Sequence, residues 1–318
     1  MIDIFLKRKC MKGLLVMLLL LAAGVFLGTT ISFASEGEAA KPMIFTQQVT
    51  VMRVGERADF KTNRTKVKWK SSNPKVLLMS SKGRARALRS GVARITAISD
   101  HQRISMYVSV KKGYTIGIDP GHQSAVDLDE EPIGPGSTTT KTKMSAGTRG
   151  VSTGKPEYQL NLEIGLALRD ELLERGYKVV MTHSTADVII GNVDRALKMN
   201  QKCDAVIRIH ADGAASSAHG ASALYPSSSN PYVGSISAAC ERLSRCVLDS
   251  YCEQTGITNR GIVVRDDLTG TNWSEVPVTL IEMGFMTNVF DDSFMSSPEG
   301  QVKMVEGLAN GVDVYFGR

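Results

Sequence analysis

The stretch TIGIDPGHQ, residues 115–123, decides the fold of most of this chain. It begins as an alternating, mostly apolar run, which is typical of a buried β-strand, and it ends abruptly at Asp119-Pro120-Gly121. His122 follows that break directly. Taken alone, His122 is best interpreted as a polar turn residue, so only partners elsewhere in the chain can give it a chemical role.

Predicted strands and helices alternate after this stretch. Segments with apolar residues at helical spacing, such as LNLEIGLALRDELLERGY, lie between short apolar runs such as KVVMTH, DAVIRIHA and VPVTLIEMGF. Alternation of this kind predicts an α/β fold over residues 113–318, with a twisted, mostly parallel sheet and helices on both faces. In such sheets ligands collect outside the carboxyl ends of the strands.

Three of the predicted strands end at a side chain that can bind a metal ion or move a proton. His122 follows the first of them, His210 ends AVIRIH, and Glu282 ends VPVTLIE. Burying such groups without partners is costly, so their shared placement calls for a common explanation. Glu157 lies just before the first long helix, where the helix dipole favours a carboxylate that points back toward the strand ends.

These residue types predict a catalytic metal site. Two histidines and one carboxylate, with a position left for water, form a standard catalytic zinc set. Neutral imidazoles and a carboxylate also suit the chemical softness of Zn²⁺. A second carboxylate that does not bind the ion can accept a proton from water.

The same motifs resemble the zinc-dependent N-acetylmuramoyl-L-alanine amidases of the amidase type 3 family. The matching segments are IDPGHQ, EYQLNL, VIRIHADG and PVTLIEMGFMTN, in that order within residues 114–318, together with LLERGYKVVMTH and the helix that contains Arg195. The resemblance implies that His122, Glu157 and His210 hold one Zn²⁺ and that Glu282 is the catalytic base. It also implies a peptidoglycan substrate, cut between the lactyl group of N-acetylmuramic acid and L-alanine.

Some features depart from the family pattern or leave alternatives open. His183 stands where the family often has Arg, and Asp212 stands where many members have Asn; both are predicted near the site but not as ligands. Residues 123–156 form a long insert whose Gly, Pro, Ser and Thr content predicts a loop that walls or covers the substrate groove. The alternatives are a zinc peptidase that cuts the peptidoglycan stem peptide and a non-catalytic wall-binding protein.

The segment before the α/β fold carries the opposite charge. Residues 42–112 contain sixteen Lys and Arg against three Asp and Glu, a net charge of +13, whereas residues 113–318 have a net charge of −9. Short β-branched runs separated by Gly, Asn-Pro and Ser-rich turns predict a small all-β sandwich over residues 44–111. It resembles the bacterial immunoglobulin-like domain (group 2), usually a spacer or adhesion module. The matching landmarks are Trp69, Ser71, Ser72, Asn73, Gly83, Gly91, Ala93, Ile95 and Thr96.

Charge and the N-terminal residues together predict where the protein works. The basic segment predicts attraction to anionic wall polymers or a membrane surface. It predicts no nucleic-acid binding, because it lacks interleaved aromatic residues.

Residues 1–34 join basic residues to the apolar run LLVMLLLLAAGVFLG, which predicts a signal peptide or an N-terminal membrane anchor. A linker follows over residues 35–43. The protein is therefore predicted to be secreted or cell-wall associated, or membrane-anchored if this segment stays uncleaved.

Overall fold

A computed structural model describes residues 41–318. The predicted signal or anchor segment, residues 1–34, lies outside the described residues, as does most of the predicted linker. Residues Met43–Arg318 form one compact unit, so the boundary predicted near residue 112 stays a prediction. No helix among the described residues is long and apolar enough to cross a membrane.

The first part of the described chain is all β. Its strands are β1 (Phe45–Gln47), β2 (Val51–Arg53), β3 (Arg57–Asp59), β4 (Lys61–Thr62), β5 (Lys68–Ser71), β6 (Leu77–Met79), β7 (Arg84–Ala87), β8 (Gly91–Ser99) and β9 (Gln102–Lys111). One sheet has the order β2-β9-β8-β5, a second has the order β3-β7-β6, and β1 pairs with β4. The two larger sheets share one apolar core that includes Met52, Phe60, Leu77 and Ile95. This all-β character agrees with the sequence pattern, and the immunoglobulin-like assignment stays a prediction.

A hairpin occupies the insert for which a loop was predicted, and that prediction was wrong in this part. The chain continues with β10 (Thr115–Pro120), β11 (Asp127–Pro132) and β12 (Thr140–Met144), of which β11 and β12 pair antiparallel. Cross-strand charges stabilise the hairpin, because Lys143 lies 3.2 Å from Asp129 and also contacts Asp127 at 3.8 Å. The Gly, Pro, Ser and Thr content of the whole insert hid the period-2 alternation of TKTKM within it.

The second part of the chain forms a six-stranded mixed sheet. Its remaining strands are β13 (Lys178–Met181), β14 (Ala205–Asp212), β15 (Ala221–Tyr225), β16 (Asn259–Val264) and β17 (Val278–Phe285). The strand order is β13-β10-β14-β17-β15-β16. Every neighbouring pair is parallel except β15 with β17, which is antiparallel. The predicted α/β fold with a mostly parallel sheet is thus confirmed.

Helices pack on both faces of this sheet. They are α1 (Glu157–Glu174), α2 (Asn192–Asn200), α3 (Ser237–Thr255), α4 (Thr269–Asn272), α5 (Val289–Ser296) and α6 (Pro298–Phe316), with a 3-10 turn at Gly234–Ile236. On one face, the larger core contains Ile207 and Ile209 of β14 together with residues of α1, α3 and α6. On the other face, a smaller core contains Val206 of β14 and Met199 of α2. Because side chains alternate along a strand, His210 projects from the same face as Val206, on the α2 side.

Candidate metal centre

The turn after β10 places His122 at the end of the sheet. His122 has a left-handed backbone with φ of 63°, a conformation that costs roughly 1 kcal/mol or more for a residue with a side chain. Gly121 leaves room for the neighbouring ring, because a Cβ on it would lie 2.2 Å from Cε1 of His210. Because this conformation is strained, other residues must hold the turn if the two histidines are to stay close together.

Arg195 of α2 holds that turn. Its side chain is 1% exposed, and each of its five N–H groups has an acceptor. Nη1 donates to the carbonyl of Pro120 at 2.8 Å, and Nη2 donates to the carbonyl of His122 at 3.0 Å. The other acceptors are the Ile190 carbonyl, the Asp119 carboxylate and the Gln123 side-chain oxygen. The guanidinium thus fixes both sides of the strained residue.

Asp119 is the anion that balances this buried charge. Its two carboxylate oxygens each lie 2.8 Å from a guanidinium, one of Arg195 and one of Arg208. Burial acts to raise the pKa of Asp119, but the two guanidiniums outweigh it and hold the pKa well below its usual range. The cluster stays charged at neutral pH and joins β10, α2 and β14 behind the histidines.

Three potential metal ligands meet in front of this cluster. Glu157 Oε1 lies 3.3 Å from His122 Nε2 and 3.1 Å from His210 Nδ1. One ligand atom from each of the three residues lies within 4.8 Å of the others. Ligand atoms around a tetrahedral ion with bonds of about 2.0–2.1 Å are about 3.3 Å apart, so the two measured separations fit such an ion. His122, Glu157 and His210 could therefore hold a metal ion, as the sequence predicted.

Hydrogen bonds orient two of these side chains. His122 Nδ1 lies 2.9 Å from the carbonyl oxygen of Ser145, and donation to that oxygen leaves Nε2 as the ligand atom. Glu157 accepts from the backbone N–H of Thr148 through Oε2, and from Ala211 N–H and Asn161 Nδ2 through Oε1. Each side chain is thus fixed by neighbours that are not themselves ligands.

The charges of the three groups are coupled. Burial acts to raise the pKa of Glu157, but hydrogen bonds from His122 and His210 hold it well below its usual range. Burial acts to lower the pKa of His122, yet the hydrogen bond and charge of Glu157 raise it above its usual value. Burial dominates at His210 and lowers its pKa. The carboxylate is therefore ionised, and His210 is the more readily neutral of the two histidines.

Glu282 lies beside these ligands. It is the register partner of His210 across β14 and β17, so both side chains project from one face of the sheet. Burial raises the pKa of Glu282 well above its usual value, and the charges of Glu157 and Asp212 act in the same direction. Its Oε2 and His210 Nε2 are buried without a hydrogen-bond partner among the described residues. Such atoms are costly unless an ion, water or substrate satisfies them.

The candidate metal site opens onto two cavities, and His122 and His210 line both of them. One of about 530 Å³ is also lined by Glu157, Glu282 and Asp212. The other, of about 240 Å³, lies on the side of the insert and α4 and is lined in part by Lys141, Thr142, Met144, Arg208 and Asp267. The insert thus forms one wall of the groove through β12, which is one of the two roles predicted for it.

The remaining predicted residues lie nearby without joining the ligand group. His183 is buried and contacts the Thr182 hydroxyl at 3.0 Å, and burial together with Arg195 lowers its pKa to about 4. Asp212 lines the larger cavity. Glu163, the next carboxylate along α1, pairs with Lys155 instead. Sequence reasoning missed Arg208, although its position two residues before His210 in a buried strand places both on one face.

Comparison with known proteins connects this geometry to one family. A sequence model described as N-acetylmuramoyl-L-alanine amidase matches residues 116–314. An N-acetylmuramoyl-L-alanine amidase of Mycobacterium tuberculosis is 30% identical over 211 residues, which cover 63% of this chain and 85% of that protein.

Solved structures agree with the sequence match. The amidase Ami1 of Mycobacterium smegmatis aligns with a TM-score of 0.59 and 27% identity, covering 64% of this chain and 97% of that one. Ami1 of Mycobacterium abscessus aligns with a TM-score of 0.58 and 29% identity, covering 64% and 99%. Both alignments cover nearly the whole of the matched chains.

Proposed function

Because the chain belongs to the N-acetylmuramoyl-L-alanine amidase family, we propose that it hydrolyses the amide between N-acetylmuramic acid and L-alanine in peptidoglycan with the help of one Zn²⁺. The observation that carries the proposal is the meeting of His122, Glu157 and His210 beside Glu282 in an open cavity. Two imidazoles and one carboxylate are a donor set that suits zinc and leaves a position for water.

In this proposal His122, Glu157 and His210 hold the ion. Bound zinc lowers the pKa of water to about 7 and polarises a carbonyl group. The hydrogen bond from His122 to Ser145 and those received by Glu157 keep the ligand atoms aimed at a common point. Arg195 keeps the His122 turn in place, so that the ligands are arranged before an ion binds.

Glu282 is proposed to move the proton. Its carboxylate accepts a proton from the attacking water as the water oxygen bonds to the lactyl carbonyl carbon. The carbon–nitrogen bond then breaks, and Glu282 delivers that proton to the departing amino group of L-alanine. Burial raises the pKa of this carboxyl above its usual value, which makes its carboxylate a stronger base and suits it to proton transfer. The products are a glycan with a free lactyl carboxylate and a stem peptide with a free amino terminus.

The rival enzyme activity, cleavage within the stem peptide, uses the same groups on a different bond. Mass spectrometry of fragments released from purified peptidoglycan distinguishes the two. Amidase activity yields intact stem peptides that begin with L-alanine, together with glycan free of peptide. Shortened peptides still attached to glycan would instead establish a peptidase and overturn the proposal.

Peptidoglycan lies outside the cytoplasmic membrane, so this function requires export. We propose that residues 1–34 supply it, either as a cleaved signal peptide or as a retained anchor. Amino-terminal sequencing of the protein isolated from cells and from medium tests this. A mature chain that begins at Ser35 supports cleavage, whereas an intact amino terminus in the membrane fraction supports the anchor. An intact chain found only in the cytoplasm would contradict both.

A further inference from the structure

One surface of the all-β part is strongly cationic. The four strands of the sheet β2-β9-β8-β5 contain no Asp or Glu at all. Its solvent side carries four exposed cations, two hydroxyl residues that are exposed or half-buried, and one exposed tyrosine. We name this set the cation face. It consists of Lys68, Lys70, Arg94, Thr96, Arg103, Ser105 and Tyr107.

Strand periodicity puts these side chains on one side. Ala93, Ile95 and Ala97 of β8 point into the core and are at most 1% exposed, so the residues between them point outward. The same alternation places Trp69 and Val108 inside and their neighbours outside. The apolar core of the sandwich thus determines which cations become surface groups.

The strand register places the cations around a pair of hydroxyl groups. Thr96 and Ser105 are cross-strand partners whose hydroxyl oxygens lie 2.9 Å apart, and Lys70 is the partner of Thr96 on the next strand. Arg94 lies two residues from Thr96, and Arg103 lies two residues from Ser105. With strands about 4.8 Å apart and a two-residue repeat of about 6.8 Å, the surrounding cations lie within roughly 10 Å of the hydroxyl pair.

The cations of this face have no internal counter-ion. No ion pair among the described residues involves Lys68, Lys70, Arg94 or Arg103, in contrast to Arg84 of the three-stranded sheet, which lies 3.1 Å from Asp59. Like charges on neighbouring strands repel one another. An anion bound across the face would relieve that repulsion while hydroxyl groups donate hydrogen bonds to it.

We propose that the cation face binds a linear polyanion with phosphodiester groups, of the kind a cell wall can carry. The open surface of a sheet fits an extended chain, and its cations and hydroxyls match phosphate oxygens in charge and in hydrogen bonding. A membrane is the weaker fit, because the exposed apolar side chains on this side, Val51 and Val92, lie at one end of the sheet and the centre of the face carries hydroxyls. The metal centre takes no part in this binding.

The test compares two full-chain variants that lose the same charge. The first carries Lys68→Gln, Lys70→Gln, Arg94→Gln and Arg103→Gln. The matched control carries Arg57→Gln, Lys82→Gln, Arg84→Gln and Arg86→Gln, which are exposed on or next to the three-stranded sheet of the same sandwich. Binding to poly(glycerol phosphate) is measured by titration calorimetry, and binding to phosphatidylcholine vesicles with and without phosphatidylglycerol by sedimentation.

The cation-face variant is expected to lose at least about tenfold in polymer affinity, and the control to stay within about threefold of the parent. Equal losses in both would mean that net charge alone acts, and loss of vesicle binding with full polymer binding would mean a membrane surface; either result overturns the proposal. If the fourfold variant unfolds, the pair Lys70→Gln and Arg94→Gln replaces it. Hydrolysis of a soluble muropeptide is expected to be unchanged, so this test is independent of the proposed activity.

Discussion

His210 and Glu282 are direct register partners on the parallel strands β14 and β17. Because paired residues of neighbouring strands project to the same face, the sheet itself places a candidate metal ligand next to a carboxyl with a raised pKa. Glu157 then joins from α1, with its Oε1 3.1 Å from His210 Nδ1. The proposed division between ligands and proton carrier follows from this placement.

Glu282→Gln is expected to separate metal binding from catalysis. The change removes the group that takes the proton, so hydrolysis of peptidoglycan should fall by about 10³-fold, while zinc stays near one ion per chain because the three ligands are intact. Hydrolysis and metal content are measured on the same preparation. Glu163→Gln, on the outer part of α1, is the control and should keep the parent rate. A Glu282→Gln protein with the parent rate would show that another group moves the proton.

Arg195→Met is expected to weaken zinc binding without touching a ligand. It leaves the carbonyls of Pro120 and His122 without their donors and Asp119 with Arg208 as its one remaining guanidinium partner. Loss of such support typically costs about 10- to 100-fold in metal affinity and, for a buried ion pair, about 3–5 kcal/mol of stability. Zinc affinity is measured by competition with a chelator under conditions where the variant is folded.

The control for this experiment is Lys202→Met, an exposed cation just after α2. It should leave both zinc affinity and stability near the parent values. An Arg195→Met protein that binds zinc as tightly as the parent, with only its unfolding temperature lowered, would limit Arg195 to a structural role.

The buried Glu282 carboxyl predicts a pH-dependent stability difference in the metal-free protein. Its pKa in the folded state is raised above the ordinary value of about 4.3, so between these two values the folded state binds more protons than the unfolded state. Its contribution to the free energy of unfolding therefore falls as the pH rises above about 4.3. Metal-free Glu282→Gln should therefore be more stable than the metal-free parent at pH 7, and the difference should vanish near pH 4.

Urea unfolding at both pH values measures this difference. Using the difference between two proteins removes the contributions of the other titrating groups, which both proteins share. An equal stability of parent and variant at pH 7 would contradict the burial described for Glu282.

The sequence brought these candidate residues together because strand ends are easy to recognise. His122, His210 and Glu282 each close an apolar run, and parallel strands bring their carboxyl ends to one edge of the sheet. Besides the hairpin of the insert, two strands of the six-stranded sheet were missed, β15 and β16. ASALY has the small residues common in loops, and NRGIVV is broken by a glycine. β15 pairs with β17 and β16 pairs with β15, and local periodicity does not contain these long-range contacts.

The buried cluster behind the ligands was likewise not predicted. Arg195 lies in a polar, amphipathic helix, and sequence alone gives no reason to bury its guanidinium against the β10 turn. The left-handed conformation of His122 also depends on tertiary contacts, because Arg195 and the Ser145 carbonyl hold it in place. Side-chain types at strand ends and at the start of α1 therefore pointed to the candidate ligands, but the supporting interactions required the fold.

Zinc titration of the metal-stripped protein tests the central claim most directly. The full chain is treated with a chelator, and hydrolysis of purified peptidoglycan is followed as zinc is added back. We expect no hydrolysis without metal, a rise to a plateau at one zinc per chain, and no recovery in a His122→Ala variant under the same conditions. Full hydrolysis by the stripped protein, or equal recovery in His122→Ala, would contradict it.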